Sequence, residues 1–162
     1  MYLPVIFTGV KNSKLKNLMV DKKVLMELKP KFEQGYALAQ IEDTELTLEF
    51  FKQLAKENEE IQEILEDADL EVGVEVTDKN RWFWLRAKGT DIEYGQGKPE
   101  KPTFIFRTTM EKAAAVIFGD LDATQAYMAG EVEIKGNLQD ALAFNDLIVV
   151  AIEAFEELIK DL

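Results

Sequence analysis

Cysteine and histidine are both absent from this chain of 162 residues. The first absence removes disulfides, thiolate nucleophiles and sulfur-based metal sites; the second removes the commonest general base and the commonest zinc ligand. Most catalytic templates fall with them, and no cofactor or metal is expected. No apolar run approaches the roughly 20 residues that cross a bilayer. Residues 1–9 lack the leading positive charges and the cleavage site of a secretory signal, so the expectation is a cytoplasmic protein. Positive charge is also short: the formal net charge is −12. A surface that acidic repels the phosphate backbone, so no nucleic-acid partner is expected. The deficit is uneven, since residues 1–43 hold seven Lys against five acidic residues while residues 44–162 hold twelve Lys or Arg against twenty-six. Phosphate cradles are missing too. Gly95-Gln96-Gly97 lacks the spacing of either glycine-rich nucleotide motif, and no helix starts behind it, so it reads as a hairpin turn.

What is present suits one compact domain, with 47% hydrophobic residues, large enough for a core and one internal cavity. Residues 1–10 are apolar and read as a strand or an arm. In residues 11–29, Leu15, Leu18, Met19, Leu25, Met26 and Leu28 stand among six lysines. That weak basic amphipathic pattern should end at Pro30. It is open between a packing helix with a solvated lysine face and a segment making transient membrane contact. Residues 43–66 repeat Leu48, Phe51, Leu54, Ala55, Ile61 and Leu65 at three- and four-residue steps, an amphipathic helix capped by Asp43 or Thr44 and broken near Asn58. Its glutamates lack the spaced ligands and central Gly of a calcium loop and read as a solvated face.

A β region follows. Leu70, Val72, Val74 and Val76 alternate with Glu71, Gly73 and Glu75, turn at residues 78–80, and continue into residues 81–88 as a hairpin. Residues 91–94 and 103–109 supply two more strands. Residues 110–129 hold two short helices joined near 119–122, their small and bulky side chains suiting either a soft pocket wall or plain core. Between Gly130 and Gly136, Val132 and Ile134 alternate with charged residues as a half-buried strand. Asn137 then caps a helix running to the end of the chain, with Asp140 in its first turn. Residues 147–152 of that helix are apolar around the whole circumference, which calls for burial on several sides: deep core, a dimer seam, or a wall shared with an apolar ligand.

The order of these pieces resembles one family. WFWLRAKG at 82–89, the helix pair at 110–128, and GEVEIKG at 130–136 followed by NLQDAL at 137–142 are together similar to the sterol-transfer domain of the sterol carrier protein 2 family, over about residues 44–155. The resemblance implies an α+β fold: a five-stranded, mainly antiparallel sheet with helices packed on one face. It also implies a non-enzymatic protein that binds or transfers a fatty acyl, phospholipid, isoprenoid or sterol-type lipid in an apolar tunnel. Residues 44–162 would form that domain, and residues 1–43 an extension packed on or flanking it. Two features depart from the family: Glu131 stands where a basic residue often follows the glycine, and residues 1–43 lie outside the match; the chain also ends without a peroxisomal Ser-Lys-Leu.

The expected lining comes from Trp82, Trp84, Phe104 and Phe106 on the sheet, from Ile117, Phe118, Leu121, Tyr127 and Met128 on the helix pair, and from Leu142, Leu147, Ile148 and Ile152 on the last helix. Arg86 is the headgroup candidate, since guanidinium grips carboxylates in a fork. Alternation puts it on the face of Trp82 and Trp84: at a tunnel rim if those face the helices, on the wet face if Phe83 and Leu85 do. Two other classes compete with the lipid carrier. One is an accessory protein using the apolar helix for a homodimer or another partner. The other is an enzyme, disfavoured because no carboxylates stand in a context that marks an acid–base pair.

Overall fold

A computed structural model describes residues 20–162. The expectations for residues 1–10, and for Leu15, Leu18 and Met19, lie outside the described residues. Helix α1 (Lys22–Gln34) is capped by Asp21, whose side chain accepts from the Lys23 N–H. It runs through Pro30 rather than ending there. Proline removes one intrahelical donor, which would have served the carbonyl of Met26. Met26 is exposed to water, and the next carbonyl, that of Glu27, accepts from the Lys31 ammonium, so the interruption is tolerated. Val24, Leu25 and Leu28 point into the core while Lys22, Lys23 and Lys29 stay outside, which makes the amphipathic pattern a packing helix here.

A 3₁₀ turn (Tyr36–Leu38) leads to α2 (Asp43–Leu54) and α3 (Glu59–Leu65). The break falls at Asn58, whose side chain accepts from the Ile61 N–H. At the start of α2 neither expected residue caps in the ordinary way. Glu42 occupies the cap position without a side-chain bond, and the Asp43 carboxylate reaches back to the Gln40 N–H.

Strands β1 (Asp69–Val76), β2 (Arg81–Lys88), β3 (Asp91–Gln96), β4 (Phe104–Thr108) and β5 (Glu133–Gly136) form one sheet in the order β3-β2-β1-β4-β5. All neighbours are antiparallel except β1 and β4. Register decides which face is apolar. Tyr94, Leu85, Val72 and Phe104 form one cross-strand row, and Phe83, Val74, Phe106 and Ile134 another. Phe83 and Leu85 are fully buried on this face, so Trp82, Trp84 and Arg86 project from the opposite one.

That outer face explains its own aromatics. Gly73 and Gly95 lack the Cβ that would press on the indoles, at 3.3 Å from Trp82 and 2.9 Å from Trp84, so the rings lie flat on bare backbone. Arg86 stacks 5.2 Å from the Trp84 ring and stands 3.5 Å from both Glu71 and Glu93, while Arg107 pairs with Glu75 and Glu133. Cross-strand ion pairing is thus where these arginines are spent.

Helices α4 (Met110–Ile117), α5 (Ala123–Met128) and α6 (Leu138–Ile159) complete the chain. The core lies between the apolar face of the sheet and the helices over it, and α1 belongs to it. Phe32 of α1 meets Phe155 of α6 at 5.1 Å, and Phe155 meets Phe50 of α2 edge-on at 5.5 Å. Within the all-round apolar stretch of α6, Leu147, Ile148 and Ala151 are buried, but Val149 is 44% exposed.

Candidate functional site

The largest apolar space in contact with the sheet is a groove of about 280 Å³ at the β4–β5 edge. Phe104, Phe106 and Ile134 form its floor, Ala123, Tyr127 and Met128 of α5 one wall, and Leu138, Ala141, Leu142, Phe144, Asn145 and Ile148 of α6 the other. The α6 set follows the three- and four-residue steps that keep one helix face toward a surface. Local chemistry holds the walls in place. Asp122 caps α5 at Gln125, Asn137 caps α6 at Asp140, and the Asn137 N–H donates to the Thr103 carbonyl at 2.8 Å, fixing the start of α6 to the sheet. Gly136 makes that junction possible: its φ is +119°, and a Cβ would stand 2.5 Å from the Thr103 oxygen.

The mouth is apolar as well. Met128 is 80% exposed, and Tyr127, Leu138 and Leu142 are exposed beside it. Single exposed apolar residues are ordinary, but these four gather around one groove. Among the described residues no charged one lines the groove.

Deeper under the helices lies an inner cavity of about 60 Å³, bounded by Val74, Val76 and Phe106 of the sheet, by α4, and by residues 39–51. Phe106, Phe144 and Ile148 line both spaces and separate them. Phe144 is the hub, with ring contacts to Phe51 at 6.4 Å and Phe104 at 5.8 Å. A third void of about 30 Å³ sits between α1, α2 and α6.

The expected lining residues therefore divide. Phe104, Phe106, Tyr127, Met128, Leu142 and Ile148 meet at the groove. Ile117 and Phe118 line the inner cavity and the third void, and Ile152 only the third void. Leu147 is 1% exposed and is plain core; Leu121 packs on the core edge and lines none of these spaces. Trp82, Trp84 and the headgroup candidate Arg86 are corrected to the far side of the sheet, because Phe83 and Leu85 take the helix face. Phe144, Ala141, Ile134 and the residues of the inner cavity before α3 went unforeseen. Helical spacing carried a signal for the first two: Phe144 lies four residues before Ile148, and Ala141 three before Phe144.

Charges cluster outside the groove. Glu131 pairs with Lys112 at 2.5 Å, and that bond holds the lysine above its ordinary pKa. Burial, then the hydrogen bond to Glu49 and the charges of Glu49 and Glu45, push Tyr94 up to about 12. Among the described residues no group of three or more Asp or Glu side chains is placed to hold a metal, and no helix is long and apolar enough to cross a membrane.

A mixed five-stranded sheet with helices packed over one face defines an α+β domain. The chain belongs to the SCP-2 sterol transfer family, which matches residues 51–149. No curated protein matches it by sequence. A sterol carrier protein 2 crystal structure is 18% identical, with a TM-score of 0.55 over 66% of this chain and 94% of that one. The sterol carrier protein domain 2 of Helicoverpa armigera is 20% identical, with a TM-score of 0.54 over 67% of this chain and 87% of that one. The sec-alkylsulfatase Pisa1 from Pseudomonas sp. is 18% identical, with a TM-score of 0.51 over 60% of this chain but only 15% of the enzyme. At these identities the likeness is one of fold.

Proposed function

We propose that this protein is a non-enzymatic carrier that holds one apolar lipid, of fatty acyl, phospholipid, isoprenoid or sterol type, with its hydrocarbon in the groove between β4, β5, α5 and α6. The observation that carries this reading is the groove's composition: an uncharged, apolar cavity of about 280 Å³ that opens through exposed Tyr127, Met128, Leu138 and Leu142. A chain entering it leaves water at a gain of about 0.8 kcal/mol per CH₂, so affinity needs few specific contacts. The neighbours named as sterol carriers support the class of ligand.

The test is native mass spectrometry of freshly purified protein, followed by solvent extraction and identification of the bound molecules. A stoichiometric lipid is the expected result. Bare protein that also fails to take up a fluorescent fatty acid refutes the reading.

A second reading has its own observation. Leu138, Leu142 and Val149 leave an exposed apolar stripe along α6. If that stripe is a seam between two copies or a partner's docking face, sedimentation should show a dimer that Leu142→Lys and Val149→Lys dissociate. A monomer that binds lipid removes it.

A further inference from the structure

The inner cavity differs from the groove in having a polar end, and that end is supplied by residues that precede the family match at 51. Gln40, Asp43, Thr44 and Thr47 all line it. We propose that this end is the recognition site for the ligand's polar terminus and that it selects an uncharged hydroxyl over a carboxylate. The inference rests on the groove being the lipid site and names the chemistry of the end that passes beyond it.

Continuity comes first. The groove and the inner cavity share Phe106, Phe144 and Ile148, which makes the two spaces neighbours across these side chains. Rotation of Phe144 is the movement that would join them. Charge comes second. Of the described residues lining either space, Asp43 alone is charged. Its side chain is 8% exposed, and its oxygens accept from the Gln40 N–H at 2.7 Å and from the Lys31 ammonium at 3.2 Å. The nearby cation is therefore already engaged, and among the described residues no cation lines the cavity for an incoming anion.

Hydrogen-bonding capacity completes the argument. The Thr47 hydroxyl donates to the Asp43 carbonyl at 2.8 Å. The Thr44 hydroxyl and the Gln40 side-chain amide have no side-chain partner among the described residues, and the Asp43 carboxylate keeps lone pairs beyond its two bonds. A ligand hydroxyl satisfies both sides of this set, donating to Asp43 and accepting from Thr44 or Gln40. An ionised carboxylate only accepts, and it brings a like charge to a half-desolvated Asp43. A site built around a donor rejects an analogue that lacks one.

The experiment is calorimetric titration of the full chain with dodecanol and with dodecanoate at a pH where the acid is ionised. A hydrogen bond to a charged group is worth roughly 1.5–3 kcal/mol, so dodecanol should bind at least about tenfold more tightly. Thr44→Val and Gln40→Leu together should weaken both ligands, because both accept from these donors, while the preference, which rests on donation to Asp43, remains; both positions are at least partly exposed, so folding should survive. Asp43→Asn should strengthen dodecanoate. Equal affinities, tighter dodecanoate, or a preference undiminished by Asp43→Asn overturns the inference and leaves the carrier reading standing. Failure of both chains to bind overturns both.

Discussion

Filling the groove separates a ligand site from a packing defect, and Ala141 is the position at which to do it. Its side chain is buried on the groove wall, one helical turn from Leu138 and Asn145. Ala141→Leu adds three carbons. Placed in empty apolar space they are worth about 2.4 kcal/mol at 0.8 kcal/mol each, less about 0.5–1 kcal/mol of leucine rotamer entropy. The ligand-free protein should therefore gain about 1–2 kcal/mol, read as a higher urea midpoint at unchanged slope. If space were lacking, the same change would cost about 1–3 kcal/mol through overpacking. Here the cavity of about 280 Å³ settles the sign. Lipid should lose what the leucine gained, because the two compete for one volume. Uptake of a fluorescent fatty acid should weaken on the order of tenfold or more. Destabilisation together with undiminished uptake would refute the reasoning, since the lipid would then lie elsewhere.

Three further outcomes follow from the geometry. Phe144→Ala should cost about 3–5 kcal/mol and merge the groove with the inner cavity, so that longer acyl chains gain affinity over shorter ones; a titration across chain lengths showing no change in preference contradicts this. Gly136→Ala should cost at least about 1–3 kcal/mol for its positive φ alone, with the contact at the Thr103 oxygen in addition; a loss well under 1 kcal/mol on thermal or urea unfolding would count against the tight β4–β5 junction. Tyr94 is held neutral by its surroundings, so its contribution is complete below the ordinary 10.0 and is lost as pH rises toward about 12. Wild type should thus lose stability over that window faster than Tyr94→Phe, and parallel curves would dismiss the coupling to Glu49.

The elements were written locally, and the site only partly so. Alternation marked β1, turn residues marked 78–80, and Asn58 and Asn137 marked helix starts because a short amide side chain has one obvious use there. Strand β2 gave no such guidance. WFWL is apolar on both faces, so period alone cannot say which pair faces the helices. The answer depends on Gly73 and Gly95, which sit beside the strand only after pairing and give the indoles a flat seat. Residues 1–43 lie outside the stretch that resembles the family and read as an extension packed on or flanking the domain; of these, Leu25 and Leu28 are buried in the core. Phe144 lies just before the continuous apolar run of α6, and its importance comes from touching Phe51 and Phe104, far away in sequence, which no local pattern shows.

The meeting of Phe155 with Phe32 and Phe50 has a temporal side. During synthesis the sheet and the earlier helices are complete before α6 has left the ribosome, so the apolar rows of β4 and β1 have no cover on the groove side. Chains extend at roughly 5–20 residues per second, and the 22 residues of α6 therefore leave that surface bare for on the order of a second or more. The nascent domain is then an open dish with a greasy interior. A lipid or a chaperone present at that moment meets the floor of the proposed groove before α6 does, and a lipid bound then is enclosed as the fold closes rather than admitted afterwards.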